Sequence, residues 1–313
     1  MVEDQHLCNE SAELHGQNVT SYALNVFVVI LSLLIICGNL LVITSVIYFK
    51  QLHTPTNYLI LSLAVTDLLV GALVLPFSTI LSLNPCLYSG YLLCKMRSLF
   101  DILLCASSIL NLCCISIDRY YAVCHPLTYR SKINVRVSLT MILVSWTLSA
   151  LLAISITGRG LSQKNPNQKC AIFVATKETS PGPFIEFYIP AIIILTIYLR
   201  ILMVAKKQAR SIRTTVKSEA ALSKMERKAN ITLTIVLGVF LMCWTPFFLS
   251  LGLYSMGKVT IPAVAIEVFK WLGWSNSMLN PLVYAFFYRW FRHAFKMIFT
   301  GKIFQGDFSS TKL

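Results

Sequence analysis

An aspartate in an otherwise apolar stretch is the first candidate for chemistry. Residues 99–108 read LFDILLCASS, with Asp101 among apolar and small side chains. A charged residue within an apolar helix is costly and indicates a functional site. Its neighbours Ile102, Leu103 and Leu104 supply no cation. We therefore expect Asp101 to form an ion pair with a cation from outside the chain.

A second charged site follows on the same stretch, where Arg119 stands beside Asp118. Asp101 and Arg119 are 18 residues apart, which is five turns of about 3.6 residues and roughly 27 Å of helix. One face of one helix would therefore carry both charges near its two ends. This arrangement suits a protein that transmits a signal from one end to the other.

The composition indicates which elements position these residues. Of the 313 residues, 56% are hydrophobic and 13% are charged, against about 45–50% and about 25% in soluble domains. The chain contains seven long apolar segments, and segments of this length cross a bilayer as helices. We predict an all-α membrane protein, a seven-transmembrane helix bundle, from the segments 22–48, 57–81, 92–123, 137–157, 182–205, 228–252 and 262–287.

Basic residues predict the orientation of the bundle. Of the 27 Lys and Arg residues, 19 fall at one set of helix ends and eight at the other. By the positive-inside rule the richer side is cytosolic and the N-terminus is extracellular. Because these flanks explain the net charge of +14, we expect no nucleic-acid partner.

The segments outside the bundle have separate roles. Residues 288–299, YRWFRHAFKMIF, alternate basic and aromatic residues and predict a short amphipathic eighth helix on the membrane surface. The first tail carries glycosylation sequons at Asn9 and Asn18. The predicted units are an extracellular tail at 1–21, a seven-transmembrane domain at 22–287, the surface helix at 288–300 and a cytosolic tail at 301–313.

Motifs for enzymatic or metal chemistry are missing from the sequence, which has no HExxH motif, phosphate-binding glycine loop or zinc-like spacing. We therefore predict neither an enzyme nor a resident cofactor. Four cysteines map outside the membrane, where disulfides persist, and they allow three pairings. They are Cys8, Cys86, Cys94 and Cys170.

Seven motifs in the right order resemble the rhodopsin-like (class A) G protein-coupled receptors. They are GNLLV with Asn39, LAVTD with Asp67, DRY at 118–120, Trp146, Pro190 with Tyr198, CWTP at 243–246, and NPLVY at 280–284. The stretch NSMLNPLVYAFFYRWF, residues 276–291, looks like the signature of the trace amine-associated receptors. A secondary transporter is the rival class, but the sequence lacks the internal repeats expected of one.

The resemblance implies a switch at the cytosolic end. Asp118, Arg119 and Tyr120 would form a latch with Glu226, and Tyr198 and Tyr284 would hold the opened state. A plain interfacial salt bridge is the alternative. The implied partner is a heterotrimeric G protein, of the stimulatory type that raises cyclic AMP in olfactory members. The implied location is the plasma membrane, and the implied disulfide joins Cys94 to Cys170.

Polar residues in mid-membrane match the family's sodium site, and a helix-packing network with water alone is the alternative. They are Asp67, Ser108, Asn276, Ser277 and Asn280.

The resemblance makes an amine the partner of Asp101. The matching positions around it are Cys105, Trp244, Phe247, Phe248, Trp271 and Trp274. Aromatic faces at these positions stabilise an ammonium. Trp274 stands where most amine receptors have a tyrosine, and it argues against an opsin.

Glu186 raises the question of ligand charge. Catecholamine receptors place serines on this helix, whereas this chain has Gly182, Pro183 and Glu186. A second carboxylate facing Asp101 predicts a diamine or polyamine. A Glu186 that is protonated or faces a helix interface leaves a monoamine, including a serotonin-like one, as the alternative. Glu267 and Lys270 lie one turn apart and can pair with each other; the alternative is an inward Lys270, which would repel an amine and weaken this interpretation.

Overall fold

The computed structural model describes residues 19–83, 91–160, 184–212, 219–256, 261–287 and 289–301. We number its main helices α1 Val19–Tyr48, α2 Pro55–Leu69 continuing as Leu75–Leu83, α3 Tyr91–Cys124, α4 Val135–Gly160, α5 Ile189–Ile212, α6 Glu219–Ser255, α7 Ala263–Phe287 and α8 Arg289–Phe299. A short helix, Pro126–Lys132, connects α3 to α4. Within the described ranges, α1 to α6 are each long and apolar enough to span a membrane, and α7 packs against α6 and α1. The predicted all-α bundle is confirmed.

Helix starts follow from local sequence. Thr54 precedes Pro55 at the start of α2, and its hydroxyl accepts a hydrogen bond from the backbone N–H of Asn57 at 3.3 Å. Asn134 caps α4 in the same way by accepting from the N–H of Val137 at 3.0 Å. Both caps satisfy N–H groups that the first helical turn leaves without intrahelical partners.

The central helix is α3, which packs against α2, α4, α5 and α6. In their most apolar windows, 78% of α3 residues are buried but only 17% of α4 residues. Large apolar side chains of α4 point outward, among them Leu143, Leu151 and Ile154. An outer apolar face of this kind is stable in lipid, whereas the buried α3 is placed to connect the two ends of the bundle.

Two π-helical turns interrupt the regular helices. One, Val70–Val74, joins the two parts of α2, and the other, Phe184–Tyr188, leads directly into α5. A π turn adds one residue and so rotates the side chains before it relative to those after it. In the second turn both Glu186 and Phe187 are buried.

The amphipathic eighth helix is also confirmed. Phe291, Ala294 and Phe295 of α8 are buried, at the i, i+3, i+4 spacing of one helical face. The helix packs against α1 and α7, while Arg292 and Lys296 are exposed.

Candidate functional site

A small cavity lies between α3, the π turn before α5, α6 and α7. It measures about 20 Å³, room for about one water molecule. Its wall consists of Asp101, Cys105, Glu186, Trp244, Phe247, Phe248, Lys270 and Trp274. The structure thus brings together all but one of the predicted ligand residues. Trp271 is half-buried on α7 and is not among these wall residues.

Asp101 has a cation on its own helix, which contradicts our expectation from the sequence. Nε of Arg97 lies 3.8 Å from Oδ2 of Asp101, and both side chains are buried. Arg97 precedes Asp101 by one turn, at the i, i+4 spacing that lets helical side chains meet. An amine ligand would therefore have to share Asp101 with Arg97 or displace it.

Glu186 faces the same cavity as Asp101. Its side chain is 4% exposed, and its carboxyl group is hydrogen-bonded to the thiol of Cys105 and coupled electrostatically to Asp101. This placement depends on the π turn, which buries Glu186 together with Phe187. The alternative that Glu186 faces only a helix interface is therefore wrong.

Lys270 also lies in the cavity wall. Its side chain is 3% exposed, and Nζ lies 5.7 Å from the ring centroid of Trp274, a cation–π distance. The side chain of Glu267, the alternative partner, lies outside the described residues. Of the two positions that the sequence left open for Lys270, the structure shows the inward one.

Aromatic rings form much of the cavity wall. Phe187 stacks on Phe248 with ring centroids 4.4 Å apart, and Trp244 packs against Phe248 at 5.8 Å. The ring of Trp244 lies directly against the backbone of Gly273, where an added Cβ would come within 2.6 Å of it. Only glycine allows α7 to approach the Trp244 ring this closely.

A polar cluster surrounds Asp67 in the middle of the bundle. Ser277 and Asn280 each donate a 2.8 Å hydrogen bond, one to each carboxylate oxygen of Asp67. Ser108 and Asn276 are buried as well. Within the described part of the chain, the amide group of Asn276 has no hydrogen-bond partner, which leaves its oxygen able to accept a bond or bind a cation.

Asp118 is the centre of the charged cluster at the other end of α3. Arg119 contacts its Oδ2 at 2.5 Å, Thr56 donates to the same oxygen at 2.8 Å, and Tyr129 donates to Oδ1 at 2.9 Å. Arg119 also donates to Thr56. Burial, followed by the Asp118 charge, raises the pKa of Tyr129, so the phenol keeps the proton that it donates. Sequence reasoning missed Thr56 and Tyr129.

The other predicted switch residues are placed individually. Glu226 lies on α6, but its side chain is outside the described residues. Tyr198 is half-buried on α5, and Tyr120 packs edge-on against Tyr121. Tyr284 is buried on α7 with its ring 5.8 Å from that of Phe291.

Some predicted site residues lie outside the described part of the chain. These are the side chain of Cys94 and residues Cys8, Cys86, Cys170, Asn9 and Asn18. The disulfide and glycosylation assignments therefore stay predictions.

Residues 38–284 match the family model described as the 7 transmembrane receptor (rhodopsin family). The chain is 44% identical to trace amine-associated receptor 1 of Macaca mulatta over 93% of this chain and 91% of that protein. It is 42% identical to trace amine-associated receptor 4 of Mus musculus over 88% and 84% of the two chains. With trace amine-associated receptor 9 of Mus musculus the identity is 41% over 90% and 86%.

The bundle, its charged ends and this match define a rhodopsin-family G protein-coupled receptor. Such a protein binds a small-molecule ligand and a G protein at the plasma membrane, and it is not an enzyme. Within that class the chain belongs to the trace amine-associated receptor family.

Proposed function

We propose that the chain is a receptor for a diamine or polyamine. Asp101 binds one ammonium group of the ligand and Glu186 binds a second. The observation that supports this most is the position of both carboxylates in the wall of one cavity. Each carboxylate comes from a different element, so a ligand that joins them would also link α3 to the segment leading into α5.

The aromatic residues of the wall suit both the ammonium groups and the apolar parts of such a ligand. Trp244, Phe247, Phe248 and Trp274 surround the two carboxylates, and an aromatic face stabilises an ammonium by about 0.5–2 kcal/mol. A cavity of about 20 Å³ is too small for an alkyl diamine. Binding therefore requires the walls to separate, and a ligand that favours the opened arrangement shifts the receptor toward it.

A monoamine ligand is the second candidate, and the position of Lys270 favours it. The wall contains two carboxylates and one lysine ammonium. With Lys270 charged, the wall already holds one cation, so a ligand needs to bring only one ammonium group, which would share Asp101 with Arg97 or displace it.

Measurement of cyclic AMP separates the two candidates. Cells that express wild type, Asp101→Ala, Glu186→Gln or Glu186→Asp would be tested with 1-pentylamine, 1,5-diaminopentane and spermidine. Loss of one partner of a buried charge pair costs about 2–5 kcal/mol, so Asp101→Ala should lower all potencies at least about 30-fold.

Glu186→Gln should reduce diamine potency about tenfold or more and spare or improve the response to pentylamine. Glu186→Asp keeps the charge and is the matched control. An unchanged diamine potency in Glu186→Gln would favour the monoamine candidate. If Asp101→Ala reached the surface and kept wild-type potencies, amine recognition by this cavity would be wrong.

We further propose coupling to a stimulatory G protein and a role in olfaction. Membership of the trace amine-associated receptor family supports both. Ligand-induced cyclic AMP that persists in cells lacking the stimulatory α subunit would contradict the coupling. Transcript in olfactory sensory neurons tests the role.

We also propose that the Asp67 cluster binds sodium in the resting receptor. The buried carboxylate and the unsatisfied oxygen of Asn276 fit such an ion, because alkali cations bind oxygen ligands. Ser108 and Asn280 would complete the site. Replacement of sodium by N-methylglucamine should raise agonist potency in wild type but leave Asp67→Asn unchanged.

A further inference from the structure

The cavity wall contains a cation that belongs to the receptor itself. Lys270 is 3% exposed, and lysine is almost never buried to this degree unless its charge is compensated. Its ammonium lies 5.7 Å from the ring centroid of Trp274. The aromatic face stabilises the charge at the cavity and thus close to the two carboxylates.

The receptor also supplies a cation to Asp101. Arg97 lies 3.8 Å from Asp101. Glu186 and Lys270 line the same small cavity. Arg97 is thus the receptor's own cation at Asp101, and Lys270 is an ammonium in the wall that Glu186 also lines.

We propose that Lys270 determines the charge selectivity of the amine site. Its ammonium competes with the second ammonium of a ligand for Glu186, and so lowers the potency of dications relative to monocations. This role rests on the function proposed above. It adds a residue that repels the second ammonium of a ligand, whereas Asp101 and Glu186 attract ammonium groups.

Three ligands that differ at one end provide the test. They are 1-pentylamine, 1,5-diaminopentane and 5-aminopentanoate, whose second end is neutral, cationic and anionic. Each would be tested on wild type, Lys270→Met and Lys270→Arg in the cyclic AMP assay, with surface expression measured in parallel. Lys270→Gln removes the same charge if Lys270→Met does not reach the surface.

Lys270→Met should increase the potency of diaminopentane about tenfold relative to pentylamine, a coupling within the range expected for residues of one site. Lys270→Arg keeps the charge and should keep the wild-type ratio. In a Glu186→Gln background the same Lys270→Met change should leave the ratio unaltered, because the carboxylate for which the two cations compete is gone.

Several outcomes would overturn the inference. An equal shift in potency for pentylamine and diaminopentane would mean that Lys270 repels any amine and does not distinguish ligands by charge. Loss of the 5-aminopentanoate response with no change in the ratio would mean that Lys270 binds a ligand anion. Either result, together with a normal loss in Asp101→Ala, leaves the proposed amine receptor intact. If no variant or wild type responds to these ligands, the proposed function fails and the inference fails with it.

Discussion

At the scale of single residues, the hydrogen bond from Tyr129 to Asp118 is the most accessible to a test. Tyr129→Phe removes a donor at 2.9 Å from a carboxylate that is fully buried. Because Tyr129 is only partly buried, we expect the free energy of unfolding to fall by about 1 kcal/mol. Basal cyclic AMP should rise, because one hydrogen bond fewer then holds the Asp118 side chain in its cluster with Arg119. Thermal melting of detergent-solubilised receptor and ligand-free cyclic AMP measure the two effects.

Ser131→Ala is the matched control for this change. It removes a hydroxyl from the same short helix, but that hydroxyl is exposed and bonds only to the local carbonyl of Thr128. The raised pKa of Tyr129 keeps the phenol neutral below an ordinary value of about 10. The hydrogen bond that Tyr129 donates is lost only as the pH rises through the raised pKa of the folded state. The difference in stability between wild type and Tyr129→Phe should therefore be constant near neutral pH. A Tyr129→Phe receptor as stable and as quiet as the control would contradict the prediction.

Residue types alone located most of the cavity wall, missed Arg97 and left the direction of Lys270 open. Asp101, Glu186 and the tryptophans were expected because charged and aromatic residues stand out in apolar helices. Arg97 lies one turn from Asp101, so its partnership was visible in the spacing and was overlooked. The inward direction of Lys270 depends on the rotation of α7 against α6, which packing determines and spacing does not.

At the scale of helices, the contact between Trp244 of α6 and Gly273 of α7 restricts how the two can move. In Gly273→Ala the new Cβ would lie 2.6 Å from Cε3 of a rigid ring. Overpacking of this kind costs about 1–3 kcal/mol, and displacement of Trp244 would reduce the cavity. We expect a lower melting temperature and weaker amine potency, measured on purified receptor and by cyclic AMP.

Gly238→Ala is the control on the same helix as Trp244. Among the described residues, and apart from its own helix backbone, no atom lies within 4 Å of its added Cβ, and alanine is favoured over glycine inside a helix by about 0.5–1 kcal/mol. The two glycine substitutions should therefore change the melting temperature in opposite directions. A Gly273→Ala receptor that is more stable than wild type would show that α6 and α7 are not in close contact here.

Apolar segments predicted which helices exist better than where they end. The sixth segment was predicted from 228, but α6 begins at Glu219. A helix can continue beyond its apolar part, because its intrahelical hydrogen bonds also form where polar side chains face water. The π turn at Phe184–Tyr188 has no clear sequence signal. Its effect on Glu186 could be recognised only when α5 was packed against α3 and α6.

At the scale of the whole molecule, the basic residues and the two charged sites define opposite ends of the bundle. Nineteen of the 27 Lys and Arg residues lie toward the Arg119 end. Two of the remaining eight, Arg97 and Lys270, are buried among the helices, so they act on the cavity and contribute little to the membrane surface.

This asymmetry predicts that the N-terminus and the cavity face the cell exterior. The cytosolic side of a membrane protein has the excess of Lys and Arg, and here that side is the Arg119 end. An epitope tag before Met1 should be labelled in intact cells, whereas a tag after Leu313 should be labelled only after permeabilisation. The second tag is the internal control for membrane integrity. The reverse pattern would place Asp101 and Glu186 toward the cytosol, where an external amine could not reach them.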